Sequence, residues 1–251
     1  MTVLEVRALY KGFGGVQAVA GIDFDVAAGE LLAMIGPNGA GKSTCFNILN
    51  GQLRPDGGSV RLAGREIAGL PPGHISRLGV GRTFQITATF GSMTVAENVQ
   101  TALIAHHRDL AGLWRPAASL HRAAAMALLE RVGMAAQADR ACGVLAYGDL
   151  KRVELAVALA NDPMLLLMDE PTAGMAPAER VELMALTAEI TRERNIAVLF
   201  TEHDMDVVFG HADRIIVLNR GALIASGTPQ EVRANRRVRE LYLGESVEAE
   251  R

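Results

Sequence analysis

Gly36-Pro37-Asn38-Gly39-Ala40-Gly41-Lys42-Ser43-Thr44 stands between two segments of contrasting character. Before it runs Leu31-Leu32-Ala33-Met34-Ile35, an unbroken apolar run that predicts a buried strand. After it, Cys45-Phe46-Asn47-Ile48-Leu49 can continue as a helix. Strand, glycine-rich loop and helix form the context in which a GxxxxGKS sequence binds phosphate groups.

The residue types of this loop suit a triphosphate. A helix start offers unpaired N–H groups and the positive end of the helix dipole to an anion. Gly36, Gly39 and Gly41 let the backbone approach the phosphates closely. Lys42 supplies a mobile positive charge for the β- and γ-phosphates, and the Ser43 hydroxyl suits a Mg²⁺ that keeps most of its waters. The complete pattern disfavours an ordinary glycine-rich turn, so residues 36–44 predict a nucleoside triphosphate site.

Composition narrows the class of protein. With 251 residues, 49% of them hydrophobic and 21% charged, the chain can bury a sizeable core. A net charge of −3 gives no basic excess, which argues against a nucleic-acid partner. Cys45 and Cys142 lie in no CxxC spacing, so we expect no disulfide framework. This cysteine usage fits a protein of a reducing compartment. We find no signal-peptide pattern and no apolar run near the roughly 20 residues of a spanning helix, so any membrane role is expected to depend on a partner.

Apolar patterning predicts an α/β chain. Strands are expected at residues 3–9, 21–26, 59–62, 64–65, 80–85, 164–168, 196–200, 214–218 and 223–225. Helices are expected at residues 119–132, 150–160, 177–194 and 204–209, and capping boxes predict helix starts at Thr94 and Thr228. We predict one P-loop NTPase domain. Its α/β core (1–87 and 161–251) carries an antiparallel β subdomain, and an α-helical subdomain (88–160) is inserted into it.

Polar side chains follow the predicted core strands. Asp169 and Glu170 end the apolar run at 164–168, and in α/β sheets ligands gather at the carboxyl ends of strands. Asp169 is therefore expected to hold Mg²⁺, and Glu170 to polarise the water that attacks the γ-phosphate. His203 follows the next strand and can donate to a γ-phosphate oxygen. Gln85, also at a strand end, can bind Mg²⁺ or orient the water, although a lone Gln is weak evidence.

Two further stretches are candidates for nucleotide contacts. Phe13 lies among glycines between the first two predicted strands, where it can stack on a base or simply pack in the loop. Leu145-Ala146-Tyr147-Gly148-Asp149 precedes the helix predicted at 150–160 and provides a second helix start that can face an anion. One chain cannot easily use both helix starts on one nucleotide. Two chains facing head to tail can, each completing the other's site.

Taken in order, these residues resemble the ATP-binding subunits of ABC transporters over nearly the whole chain. Residues 36–44 look like the Walker A motif, 145–149 like the signature and 165–169 like the Walker B strand. The resemblance implies roles for four single residues: Gln85 in the Q-loop, Glu170 as catalytic base, His203 as switch histidine and Phe13 as the aromatic that stacks on adenine. Five ordered motifs are far more specific than one phosphate loop.

Within the family, the chain looks like the subunits that serve branched-chain amino-acid importers. The features are Gly12-Phe13-Gly14-Gly15, the Leu-Ala-Tyr-Gly form of the signature, Pro171-Thr172-Ala173-Gly174-Met175, and the tail Tyr242-Leu243-Gly244-Glu245. Subunits for urea or amides share much of this pattern.

The sequence departs from the family pattern at two places. In the signature, Ala146 stands where a serine hydroxyl is usual, Tyr147 replaces a glycine, and Asp149 replaces Gln or Glu. Helix-dipole stabilisation favours Asp149, while repulsion from phosphate opposes it. The loop after Pro171 lacks the family's usual aspartate. Both departures leave open how the second chain contacts the nucleotide.

The resemblance implies a mechanism and a set of partners. ATP and Mg²⁺ would bind between two such subunits, identical or related. Closure would drive membrane permease subunits at the cytoplasmic face of the cell membrane, and a solute-binding protein would act indirectly. A soluble ABC-type ATPase on a ribosome or DNA is the alternative, but such proteins usually carry two cassettes or a long coiled-coil insertion. Glu170 and His203 argue against a non-catalytic sensor, and the lack of an Asn-Lys-x-Asp motif argues against a small GTPase.

Overall fold

The computed structural model of the chain describes residues 1–83, 89–107 and 120–242. Gln85 and residues 243–245 of the predicted family tail lie outside these ranges, as does the end of the strand expected at 80–85.

Two sheets contain the described strands. The strands are β1 (Thr2–Phe13), β2 (Val16–Ala27), β3 (Leu31–Ile35), β4 (Gly57–Leu62), β5 (Arg65–Glu66), β6 (Val80–Thr83), β7 (Leu165–Asp169), β8 (Ala197–Thr201), β9 (Arg214–Asn219) and β10 (Ala222–Gly227). A four-stranded antiparallel sheet has the order β2-β1-β4-β5, and a six-stranded sheet has the order β10-β9-β3-β8-β7-β6.

Helices cover the sheets, and the described part of the segment between β6 and β7 contains three of them. The described helices are α1 (Lys42–Leu49), α2 (Pro72–Arg77), α3 (Val95–His107), α4 (Arg122–Arg131), α5 (Tyr147–Leu159), α6 (Pro177–Arg194), α7 (Met205–His211), α8 (Pro229–Ala234) and α9 (Arg236–Tyr242). Helices α3, α4 and α5 pack on one another. None of the helices in the described ranges is long and apolar enough to cross a membrane.

Strands β3 and β8 consist mainly of apolar residues because they are covered on both faces. All residues of β3 and β8 are buried. Successive side chains point to opposite faces, so Leu31 and Ala33 join the core beneath the helices while Leu32 and Met34 join the core shared with the antiparallel sheet. The six-stranded sheet is thus the middle layer of the molecule.

This arrangement sets the position of the site. Strand β3 pairs in parallel with β8 and β9, and β7 pairs in parallel with β6 and β8. The carboxyl ends of these strands therefore share one edge of the sheet. The loop after β3, the acids at the end of β7 and the residues after β8 all emerge there.

The predicted α/β class with an antiparallel sheet and inserted helices is confirmed, but several boundaries were wrong. Helix α5 begins at Tyr147 and not after Asp149, so three residues of the predicted signature form its first turn. Strands β1 and β2 extend to a two-residue turn, which places Phe13 in a strand. The terminal helix divides at Asn235, and α2 was not predicted. The division at residues 87/88 and 160/161 stays a prediction.

Candidate active site

The loop between β3 and α1 is held by close backbone packing. A Cβ on Gly36 would lie 2.3 Å from the Leu218 carbonyl oxygen of β9. A Cβ on Gly41, which has a φ of 105°, would lie 2.2 Å from the Ala18 carbonyl oxygen of β2. Only glycine fits at these two positions. The loop is therefore fixed between strands of both sheets.

Lys42 begins α1 and folds back over the loop. Its Nζ donates to the carbonyl oxygens of Gly36 at 2.6 Å and Pro37 at 3.2 Å. The residue is only 8% exposed, and burial lowers the pKa of its ammonium group, while the charges of Glu170 and Asp169 oppose that shift. The lysine thus lies within electrostatic reach of both acids.

Asp169 ends β7 and is held on both carboxylate oxygens. The Thr201 hydroxyl donates to Oδ1 at 2.8 Å. The Arg82 guanidinium of β6 donates to Oδ2 at 3.3 Å and forms an ion pair with it. The strand register explains the first contact, because Asp169 and Thr201 are paired across β7 and β8.

Glu170 adopts a backbone conformation that non-glycine residues rarely take. Its φ is 49°, and its N–H donates to both the carbonyl and the hydroxyl oxygen of Thr201, each at 3.1 Å. Its Oε1 lies 3.0 Å from Nε2 of His203, which is half exposed. A strained residue at a candidate site is consistent with a role in the chemistry performed there.

The donor set fits a magnesium-bound nucleotide. Ser43 is exposed in the first turn of α1, and the Asp169 side chain is partly accessible at the sheet edge. Across the described ranges no group of three or more His, Cys, Asp or Glu could hold a metal by itself. Mg²⁺ usually takes one or two protein ligands together with phosphates and waters, so this sparse set suits it. Ser43 and Asp169 are the residues that would hold the ion.

Phe13 ends β1 and is paired with Val16 across the hairpin. The ring is 47% exposed, and the Lys11 ammonium lies 5.3 Å from its centroid. The same hairpin continues to Ala18, which packs against Gly41 of the phosphate loop. An exposed ring on this hairpin is compatible with base stacking, which stays a prediction.

The signature residues lie on a different helix from the phosphate loop. Ala146 is the N-cap of α5 and provides no side-chain cap, and Asp149 is the acid of the first turn. The Tyr147 ring packs against Gly174 in the loop after β7, and the Lys151 ammonium lies 5.4 Å from the ring centroid. The N-terminus of α5 is thus joined to the loop that follows Glu170.

The structure brings Lys42, Asp169, Glu170 and His203 together at one sheet edge. It places Ala146–Asp149 at the start of α5, and Gln85 lies outside the described residues. Sequence reasoning missed Arg82 and Thr201, which contact the acids, and Thr172 and Glu202, which join the loops after β7 and β8. Their only signal was that each lies near the carboxyl end of β6, β7 or β8.

Comparisons with known proteins agree with this geometry. A family model described as "ABC transporter" matches residues 19–173, and one described as "Branched-chain amino acid ATP-binding cassette transporter" matches residues 222–248. The chain is 44% identical to the high-affinity branched-chain amino acid transport ATP-binding protein BraF of Pseudomonas aeruginosa, over 97% of this chain and 98% of that protein. It is 42% identical to LivG of Escherichia coli K12, a protein of the same description, with the same coverage.

Solved structures resemble the whole chain as well. A nucleotide-free ATP-binding cassette from an ABC transporter matches with a TM-score of 0.86 and 31% identity, over 98% of this chain and all of that one. The ADP conformation of another such cassette matches with a TM-score of 0.87, the same identity and the same coverage. The resemblance drawn from the motifs is confirmed: the chain belongs to the ABC transporter family, as one of its ATP-binding ATPase chains.

Proposed function

We propose that this chain binds and hydrolyses ATP to drive the import of branched-chain amino acids through separate membrane permease subunits. The observation that carries the chemistry is the convergence of Lys42, Asp169, Glu170 and His203, with Glu170 and His203 in hydrogen-bond contact at 3.0 Å. Relatives with 42% and 44% identity over almost their whole length bear this transport description, which supports the choice of solute class.

The proposed mechanism gives each group a role. The loop N–H groups and the Lys42 ammonium bind the β- and γ-phosphates. Glu170 accepts a proton from the attacking water, and His203 donates to a γ-phosphate oxygen and keeps the Glu170 carboxylate oriented. When bound through Ser43 and Asp169, Mg²⁺ supplies positive charge to the phosphates. Gln85 would bind this ion or orient the water.

A second ATP-binding chain completes the site in this proposal. The residues at the start of α5 (146–149) would face the γ-phosphate bound by the partner, and Phe13 would stack on the base. The γ-phosphate would be contacted by both chains only when they are closed, so ATP favours the closed pair and hydrolysis releases it. We propose a peripheral location at the cytoplasmic face of the membrane, with a solute-binding protein acting indirectly.

A transport assay tests the solute class. Deleting the gene should abolish high-affinity uptake of labelled leucine, isoleucine and valine, and the intact gene should restore it while the Glu170→Gln variant should not. Unchanged uptake of all three amino acids with loss of urea or amide uptake would assign the chain to those solutes. Unchanged uptake of every solute, together with ATPase activity in the purified chain, would instead favour a soluble ATPase with another partner.

A further inference from the structure

Glu202 is a buried carboxylate directly before His203. The residue is 4% exposed and follows the last residue of β8. Its Oε1 accepts hydrogen bonds from the backbone N–H of Thr172 at 2.8 Å and from the Thr172 hydroxyl at 2.6 Å. Its Oε2 accepts from the backbone N–H of His203 at 3.1 Å. One side chain thus binds the loop after β7 to the loop after β8.

These bonds lie on either side of the proposed catalytic pair. Thr172 is two residues beyond Glu170, and Glu170 itself is tied to Thr201 through its N–H. Glu170 has a φ of 49°, and such a conformation persists only where the surroundings fix it. Thr201 fixes Glu170 directly, and Glu202 fixes the segment that leaves it. The bonds from Thr172 to Glu202 join the loop after Glu170 to the residues that follow β8.

We propose that Glu202 is a positioning residue that sets the distance between the Glu170 carboxylate and the His203 imidazole. It acts through the backbone of Thr172 and His203 and does not touch ATP. The 3.0 Å contact between Glu170 and His203 is the geometry that it maintains. The inference rests on the proposed roles of Glu170 and His203 in hydrolysis.

The chemistry of the contact makes the carboxylate hard to replace. An ionised carboxylate only accepts hydrogen bonds, and three donors converge on Glu202. Within the described ranges no lysine or arginine forms an ion pair with it, so these three hydrogen bonds hold the side chain in place. A glutamine amide has the same shape but carries an NH₂ group, which would face at least one of those donors.

Thr172 offers a graded way to weaken the same contact. Valine at this position keeps the shape and the backbone N–H but removes the hydroxyl donor, and serine keeps both donors. Thr187 provides a matched control. It is buried in α6, and its hydroxyl donates to the Leu183 carbonyl of the same helix at 2.8 Å.

The experiment measures kcat and KM for ATP hydrolysis, affinity for a fluorescent ATP analogue, and thermal stability in the full-length chain. We expect Glu202→Gln to lower kcat at least about tenfold while KM and affinity change less than about twofold, because general-base geometry is affected and phosphate binding is not. Thr172→Val should lower kcat by a smaller factor than Glu202→Gln does, and Thr172→Ser should have a kcat close to that of the wild type. The double variant Thr172→Val/Glu202→Gln should have a kcat only slightly lower than that of Glu202→Gln alone, because both changes weaken the same contact. Thr187→Val should change stability only.

Three results would overturn the proposal: wild-type kcat in a folded Glu202→Gln variant, equal losses in affinity and kcat, or equal kcat for Thr172→Val and Thr172→Ser. The Thr172 comparison decides the matter if Glu202→Gln does not fold. A wild-type chain without ATPase activity would refute the proposed function itself. Wild-type activity with an unimpaired Glu202→Gln variant refutes only the positioning role.

Discussion

Replacing Gly36 by alanine will weaken ATP binding by displacing the phosphate loop from β9. The new Cβ would lie 2.3 Å from the Leu218 carbonyl oxygen and 2.9 Å from the Ala40 Cβ. Real Cβ atoms essentially never approach another heavy atom closer than 3.0 Å, so the loop and the strand must separate by at least about 0.7 Å. Backbone atoms block the Cβ, and no flexible side chain can move aside.

The cost falls on stability and on binding separately. Overpacking of this kind destabilises a fold by about 1–3 kcal/mol. The same shift misplaces the loop N–H groups that would donate to the phosphates, and a hydrogen bond to a charged group is worth about 1.5–3 kcal/mol. Loss of one such bond corresponds to an affinity for ATP that is about 10- to 100-fold weaker.

Gly51 provides a control with the same steric conflict at the other end of α1. A Cβ there would lie 2.3 Å from the Leu70 carbonyl oxygen, and the residue has a φ of +80°. Gly51→Ala should therefore destabilise the chain at least as much as Gly36→Ala, yet change ATP affinity by less than about twofold. Calorimetric titration with a non-hydrolysable ATP analogue and thermal melting measure the two effects. Wild-type affinity in a folded Gly36→Ala variant, or equal affinity losses in both variants, would refute the reasoning.

Three further predictions follow from the same geometry. Glu170→Gln should bind ATP normally but lower turnover by about 10²- to 10⁴-fold, the usual contribution of a general base; normal turnover would exclude that role. Lys42→Ala should weaken binding itself by about 10- to 100-fold, measured by titration, because a charge-assisted contact is lost. Asp204 caps α7, and its hydrogen bond from Arg180 lowers the pKa of its carboxyl group from 3.8. Because the ionised carboxylate is favoured in the folded state, it stabilises the fold at pH values above its ordinary pKa and loses that effect as it is protonated. The melting-temperature advantage of the wild type over Asp204→Asn should therefore shrink as the pH falls below about 4.

The sequence was most informative where burial is complete. Strands β3 and β7 were predicted near their observed positions because strands covered on both faces are largely apolar. The six-residue helix α2 was missed because so short a segment shows no helical period. Phe13 was predicted between strands because glycines follow it, but the chain stays paired up to the turn at Gly14 and Gly15. Turn residues mark a reversal without fixing where pairing stops.

The sequence predicted the main side chains of the candidate site but not the contacts that hold them. Asp169, Glu170 and His203 could be found because side chains at the carboxyl ends of neighbouring parallel strands emerge together. The contacts that hold them could not. The Thr201 hydroxyl meets Asp169 because the register of β7 and β8 pairs these residues, and the Thr172 bonds to Glu202 span 30 positions in sequence. The pairing register of two strands that lie far apart in the chain cannot be predicted from the sequence of either strand alone.

The departures at the start of α5 can be understood together. Ala146 is the N-cap and provides no hydroxyl to accept from the first-turn N–H groups, whose capping is worth about 1 kcal/mol. Asp149 lies in that first turn, where a negative charge stabilises a helix by about 0.3–1 kcal/mol. Asp149 thus restores part of the helix stability that is lost without an N-cap hydroxyl, although it does not occupy the N-cap position. The N–H groups of the first turn keep no cap from the Ala146 side chain. On this argument, Asp149 lowers the attraction of α5 for phosphate through its charge, while the Ala146 side chain leaves the backbone donors of the first turn uncapped.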